Sequence, residues 1–434
     1  MEKSLRCQGM RDLLPSAMER FRQVEEAFRQ VCLAWGYREV RTPTLEYLHL
    51  FTTTGTLSPQ MLGRVYSFLD WDGWRGERVV LRPDATIPAV RLFVEHLASR
   101  GQARLCYVQN VFRFTEGEEP RESWQCGAEL LGEKSPLGDL ELILVALEAL
   151  QSLGLESLRV RLSHAGLLRA ALARTGLGPQ EQAVLYDRLL DGELAALDGV
   201  KEELSARLLF GLEGGGPGYL ANLRSALAPW PELAAPLEEI GLLGEALEAL
   251  GHRYEVWPAL VRNFEYYTGP IFHLLVDEER VGGGGRYDAL AGLLGASGVP
   301  ASGFALDMDR LGALLPGRER PTWPQGVLVQ PVGEDAATLA AAFAIARSLH
   351  SRGREAQVAQ KEAETSRWQV LVQAEGGPVV YTVTDRLEGW QRQFTSAEEA
   401  LAALGNPPKA GSGMGTTGRA AGPGGSGMKG DGQK

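Results

Sequence analysis

The chain has 434 residues with 44% hydrophobic and 23% charged, the balance of a folded globular protein rather than a disordered one. No stretch approaches the ~18 apolar residues of a membrane helix, residues 1–6 lack a signal-peptide core, and four dispersed cysteines (Cys7, Cys32, Cys106, Cys126) form no CxxC pair. These features point to a cytoplasmic protein with reduced thiols, no membrane partner, no metal and no cofactor. The net charge of -11 puts nucleic acid at a disadvantage as a partner, because such binding relies on Lys and Arg to neutralise phosphates.

Ser16 and Glu19 have capping-box spacing, and Phe21, Val24, Phe28, Val31 and Trp35 recur at helical spacing before Gly36. A strand is expected at 38–42, ended by Pro43. Further strands are expected at 79–81, 105–114, 124–131 and 158–162. Helices are expected at 87–98 and at 139–153, the latter capped by Asp139. Residues 167–250 are rich in Leu, Ala and Glu and read as a helical insertion. Strand character returns at 264–276 and near Val281, and a glycine run leads into a helix at 287–294. After a Pro-rich joint at 316–324, strands at 326–331, 368–373 and 379–383 alternate with helices at 336–351 and 396–404. The domain reading is a core over 1–320 with its insertion at about 165–250, a small α/β unit over 322–404, and a tail over 405–434. The tail is so rich in Gly, Ser and Pro that it is expected to be disordered.

Five local features fall in a particular order. They are Gly9-Met-Arg-Asp-Leu-Leu-Pro15, Leu81-Arg-Pro-Asp-Ala-Thr86, Phe112-Arg113 followed by Gln125-Cys-Gly-Ala-Glu129, Val261-Arg-Asn-Phe-Glu-Tyr-Tyr-Thr-Gly269, and Gly282-Gly-Gly-Gly-Arg-Tyr-Asp288 with Gly303-Phe-Ala-Leu-Asp-Met-Asp-Arg310. Each has an ordinary structural reading: a loop, a helix start, a salt-bridged arginine in a hairpin strand, two tyrosines packed in a strand, a glycine run in a sheet. Four glycines in succession are tolerated where a backbone or a ligand must come close.

Together and in this order, over about residues 6–315, the motifs resemble the histidyl-tRNA synthetase fold family. The resemblance implies an α+β fold: a class II aminoacyl-tRNA synthetase-like core with an antiparallel sheet flanked by helices, plus a small α/β C-terminal domain. Two functions occur in that family. One is histidine–tRNA ligation. The other is the non-catalytic regulatory subunit that works with a short-form ATP phosphoribosyltransferase catalytic subunit in the first step of histidine biosynthesis.

The resemblance implies that Asp84, Thr86 and Gln125 hold the ammonium of free L-histidine. It gives Glu129 and Tyr267 to the imidazole, with Tyr266 adjacent, and Arg262 to the α-carboxylate. The chemistry is sound: an ammonium needs acceptors, a carboxylate suits a guanidinium, and an imidazole N–H can donate to a glutamate. Arg113 and Arg310 match the family's phosphate-binding arginines. Around them the pattern departs from a synthetase. Thr115 stands where a Glu is usual, and the following loop has four acids (Glu116, Glu118, Glu119, Glu122) against Arg121. Asp307 replaces a glycine that lets nucleotide lie on the strand, and Asp84 replaces a Glu. The expectation is therefore the regulatory subunit, needed for activity of its partner and for feedback inhibition by histidine, with the synthetase as the alternative. The first helix and residues 38–43 resemble the family's dimerisation segment, implying a homodimer within a larger hetero-oligomer.

Overall fold

The computed structural model describes residues 5–54, 63, 65–71, 76–114, 120–133, 136–190, 196, 198, 214–257, 267–315, 326–360, 366–374 and 377–405. The elements, in order, are α1 (Pro15–Ala34), β1 (Arg38–Glu39), β2 (Leu45–Tyr47), α2 (Leu48–Thr53), β3 (Ser67–Trp71), β4 (Gly76–Leu81), α3 (Thr86–His96), β5 (Ala103–Phe112), β6 (Glu122–Leu131) and α4 (Leu137–Ser152). Then come β7 (Leu158–His164), α5 (Ala165–Arg174), α6 (Pro179–Leu190), α7 (Pro217–Leu227), α8 (Ala234–Ala249), β8 (Arg253–Val256), β9 (Pro270–Val276), β10 (Glu279–Arg286), α9 (Ala289–Leu293), β11 (Ala301–Asp307) and α10 (Met308–Leu314). The last are β12 (Val327–Pro331), α11 (Ala336–Ser351), β13 (Ala356–Val358), β14 (Trp368–Gln373), β15 (Val380–Asp385), β16 (Trp390–Phe394) and α12 (Ala397–Gly405). Contacts divide the chain into two compact units, Met1–Gly317 and Arg318–Lys434.

The first unit is built on an eight-stranded sheet of order β1-β5-β6-β11-β10-β9-β7-β8. Its interior pairings are all antiparallel, and the outer pairs β1–β5 and β7–β8 are parallel. Side chains alternate across each strand, so the sheet has two distinct faces. One is dry: Ala128, Phe304, Phe272 and Leu162 stand in register on it and pack with residues of α1, α4 and α8. Part of the other is covered at one end by α3, whose Ile87, Val90 and Phe93 meet Leu105, Leu131, Tyr287 and Ala301. A small antiparallel sheet, β2-β4-β3, joins that cluster through Val80. The second unit is a five-stranded mixed sheet, β13-β12-β14-β15-β16, with a core shared by α11 and α12.

Several local expectations give way. Ser16 and Glu19 do not form a capping box: Pro15 takes the first helical position and Leu14 caps α1 with no side-chain bond. Asp139 is not a cap but lies buried inside α4, held by Ser302 Oγ at 2.8 Å and by Arg286. The strand expected at 38–42 forms only at Arg38–Glu39. Beyond it, the carbonyls of Thr42 and Pro43 accept from Arg82 Nη1 at 2.9 and 3.0 Å instead of a ladder partner. The helix expected at 287–294 is Ala289–Leu293, and the strand at 264–276 begins at Pro270, so Tyr267 precedes the strand rather than lying in it. The strand expected at 79–81 is the end of β4, whereas β2, β3, α2, β8, β11, α10, β13 and β16 were not foreseen. The joint at 316–324 and the tail from 406 lie outside the described residues.

Candidate functional site

On the second face of the large sheet, beyond the part covered by α3, lies a cavity of about 330 Å³, at the small end of ligand pockets. Its floor is made of residues with little or no side chain. Gly303 and Ala305 on β11 and Gly282, Gly283 and Gly284 on β10 line it, with Gly283 opposite Ala305 and Gly285 opposite Gly303 in register, and Gly127 on β6 beside Ala305. A side chain at these positions has no room. A Cβ on Gly303 would strike the Glu129 carboxylate and the Tyr287 hydroxyl, and one on Gly127 would stand 2.5 Å from Tyr107 Oη.

Around this floor stand Asp84, Thr86, Arg113, Gln125, Tyr267, Arg280, Tyr287, Asp307 and Arg310. The cavity therefore gathers six of the nine candidate residues: Asp84, Thr86, Gln125, Tyr267, Arg113 and Arg310. Glu129, a seventh, lies fully buried beneath it. Arg262 and Tyr266 lie outside the described residues, as does the acidic loop from Thr115 to Glu119.

The local chain explains each placement. Gln125, Gly127 and Glu129 alternate on β6, so all three face the cavity side while Cys126, Ala128 and Leu130 face the core. Asp84 follows β4 and opens α3, where its Oδ1 accepts from Ile87 N at 2.8 Å. Its helix-start reading and its cavity reading thus hold together. Removal from water raises its carboxyl above the ordinary range, opposed by that N–H and by the nearby charge of Arg113. Arg113 is not a salt-bridged strand residue: it follows β5, and its Nε donates to Pro83 O at 3.0 Å.

Glu129 sits at the centre of a buried hydroxyl cluster. Tyr107 Oη donates to Glu129 Oε1 at 2.9 Å, Tyr287 Oη donates to Oε2, and Thr86 Oγ1 lies 3.3 Å from Tyr107 Oη. Burial pushes the Glu129 carboxyl up to about 8, against the lowering effect of these hydroxyl donors. Burial likewise pushes the Tyr107 phenol well above its ordinary value. Tyr267 faces Tyr287 with ring centroids 6.4 Å apart.

At the other end of the cavity, Asp307 does two things. Its Oδ1 accepts from Asp309 N at 3.0 Å and Arg310 N at 3.1 Å, capping α10. Its other oxygen lies 3.4 Å from Arg310 Nε, and Arg310 Nη1 donates to Arg280 O at 3.0 Å. The Asp307 carboxylate thus both caps α10 and engages the Arg310 side chain.

The first motif braces this region. Arg11 pairs with Asp309, and Gly9 O accepts from Arg121 N at 2.8 Å. Gly9 takes a positive φ of 75° with the Arg121 side chain packed against it, a position where a Cβ has neither the conformation nor the space. Among the described residues, no group of three or more His, Cys, Asp or Glu side chains could hold a metal.

Sequence reasoning assigned no role to Tyr107, Tyr287, Arg280 or Arg82. Tyr287 was visible in the Gly-Arg-Tyr-Asp motif. Tyr107 could be found only through its register opposite Gly127. Arg82 is buried and binds Asn110 O at 2.7 Å and the Thr42 and Pro43 carbonyls, fixing the strand end that presents Asp84.

The cavity thus sets glycines on an antiparallel sheet within a rim of carboxylates, an amide and arginines. The family model described as histidyl-tRNA synthetase matches residues 9–311, and the chain belongs to that family. Within it, the chain is similar to the ATP phosphoribosyltransferase regulatory subunit of Dehalococcoides mccartyi, with 45% identity over 91% of this chain and 97% of the relative. It is 31% identical to the histidine–tRNA ligase of Methanocaldococcus jannaschii, over 80% of this chain and 83% of that protein. Among solved structures, a Bacillus halodurans protein described as an ATP phosphoribosyltransferase regulatory subunit/histidyl-tRNA synthetase superposes with a TM-score of 0.69. It has 27% identity and covers 82% of this chain and 92% of its own. These likenesses support the regulatory-subunit role, and the class II synthetase-like α+β fold is shown.

Proposed function

We propose that this chain is the non-catalytic regulatory subunit of ATP phosphoribosyltransferase, binding free L-histidine in the cavity on the large sheet. It partners the short-form catalytic subunit, is needed for that subunit's activity, carries feedback inhibition by histidine, and forms a homodimer within the complex. The observation that carries the reading is the contrast between the two ends of the cavity. Asp84, Thr86, Gln125 and Tyr267 converge where an amino acid would bind. Arg310, which a nucleotide phosphate would need, is engaged by Asp307. A carboxylate about 5 Å from a phosphate charge costs about 3 kcal/mol at an effective dielectric near 20. The Tyr287 hydroxyl stands on Glu129, so an imidazole N–H reaches that carboxylate by taking the hydroxyl's place.

The test is phosphoribosyl-ATP formation by the catalytic subunit mixed with this chain, followed across a histidine titration. Glu129→Ala should raise the histidine concentration needed for inhibition by about tenfold to a hundredfold, the cost of leaving the buried imidazole N–H without an acceptor. Activation of the partner should be nearly unchanged. Unaltered inhibition by a stably folded variant would place the sensing site elsewhere.

The retention of Arg113 and Arg310 at the cavity favours histidine–tRNA ligation as the second reading. Robust histidine-dependent ATP–pyrophosphate exchange, abolished by Arg262→Ala, would put it first.

A further inference from the structure

The two tyrosines that line the cavity are each tied from behind to the helical insertion. Arg169 on α5 donates from Nη1 and Nη2 to the carbonyl of Tyr267, both at 3.0 Å. Arg286, the residue before Tyr287, is gripped by Asp139 and, through Nη1 at 2.9 Å, by Glu239 in the middle of α8. Glu239 also lies 3.5 Å from His164 Nε2, while His164 Nδ1 accepts from Gly166 N at 2.9 Å and so caps α5.

The two chain segments are themselves stitched together. Thr268 N donates to Arg286 O at 2.7 Å, and Thr268 Oγ1 accepts from Asp288 N at 2.9 Å. Gly269 completes the joint, because a Cβ there would stand 2.9 Å from the Arg286 guanidinium. Residues 267–269 and 286–288 thus form one unit, with Arg169 and Glu239 as its hooks to α5 and α8.

The attachment of α8 differs between its two sides. Leu237, Ile240, Leu243 and Leu247 are buried in the core. On the side of Arg286, Glu239 and Leu242 instead line a cleft of about 480 Å³. There the helix is held to the sheet by charge, not by packing. A packed contact has few alternatives, whereas an ion pair beside open space can lengthen or re-form.

We infer that Arg169 and Glu239 are positioning residues that pass the occupancy of the cavity to helices α5 and α8. The inference rests on the histidine reading of that cavity. A ligand that fixes Tyr267 and Tyr287 favours the arrangement in which both hooks are closed, and the linkage is reciprocal. Opening the hooks must therefore weaken the ligand.

The experiment combines calorimetry with hydrogen exchange on the full chain, with and without L-histidine, for wild type, Arg169→Met, Glu239→Gln and Arg169→Lys. In the wild type, saturating histidine should slow amide exchange across Ala234–Ala249 and Ala165–Arg174. In Arg169→Met and Glu239→Gln, affinity should fall about fivefold to tenfold, the lower range of coupling between sites, and the slowing should be lost in α5 for the first and in α8 for the second. Arg169→Lys should restore part of both. A purely structural role for these pairs would change exchange without histidine and leave the histidine-induced difference intact, and that outcome overturns the inference. Unchanged exchange of α5 and α8 in a wild type that binds histidine overturns it without recourse to any variant. A wild type that gives no heat with millimolar histidine removes the histidine reading, and this inference with it.

Discussion

At the scale of single residues, Glu129 is the most consequential group in the site. It is fully buried and surrounded by hydroxyl donors, yet burial outweighs them and holds the carboxyl protonated up to about 8 in the folded chain. In the unfolded chain the same group titrates near 4.5. Between those values the folded state binds the extra proton, so this group's contribution to stability falls as pH rises. Replacement by Gln removes the titration. The difference in unfolding free energy between wild type and Glu129→Gln should decline from pH 4.5 to 8 and level off on either side. Denaturant unfolding at a series of pH values measures it, and a flat difference throughout would mean that Glu129 is ionised in the folded protein. Asp307 shows how one carboxylate can serve two ends. It caps a helix and engages Arg310, a pairing that sequence could suggest only as added bulk and charge.

At the scale of elements, legibility followed the strength of the pattern. Helix α11 falls at Ala336–Ser351 as read from its alanine content, with Asp335 accepting from Thr338 N at 2.9 Å at its start. Strand β14 was legible at Trp368–Gln373 because β-branched and aromatic residues crowd it. Of the small sheet only the end of β4 was legible: every residue of β3 is exposed, so Ser67–Trp71 has no inside–outside alternation to read. Strand β11 was hidden for a different reason. Its Ala-Ser-Gly-Phe-Ala sequence has weak strand preference, and it is a strand because β6 and β10 hold it on both sides. That Gln125 and Glu129 share one face of β6 follows from their even spacing, while their candidacy rested on the motif resemblance. That they meet Asp84 and Thr86 at the start of α3, Tyr267 before β9 and Arg310 on α10 depends on how the strands pair, which no local pattern encodes. The glycine floor makes the dependence testable. Gly303→Ala places a methyl group into the Glu129–Tyr287 contact, and overpacking of this kind typically costs about 1–3 kcal/mol. Urea unfolding should show that loss. A variant as stable as wild type would show that the floor has slack.

At the scale of the whole molecule, the proposed homodimer predicts a light-scattering mass of about twice 47.1 kDa for the isolated chain. Two-fold interfaces repeat each contact, so the species should be monodisperse. A monomer at micromolar concentration would refute it. The same scale shows how the site depends on chain connectivity. β5 and β6 are consecutive strands that pair along ten residues each, a local contact with a small loop-closure cost. β11, which inserts beside β6, comes from far downstream, after the entire helical insertion. Asp84 and Gln125 are thus synthesised long before Gly303 and Arg310. On the ribosome the part of the cavity formed by β5 and β6 would exist first as an open hairpin edge, with the pocket closing only when β11 docks. Non-local strand pairing of this kind is slow and leaves an edge exposed meanwhile. A stop shortly before Ala301 would therefore release a chain with most of its core residues but with the β11-facing edge of β6 unpaired, prone to aggregate rather than to bind ligand weakly.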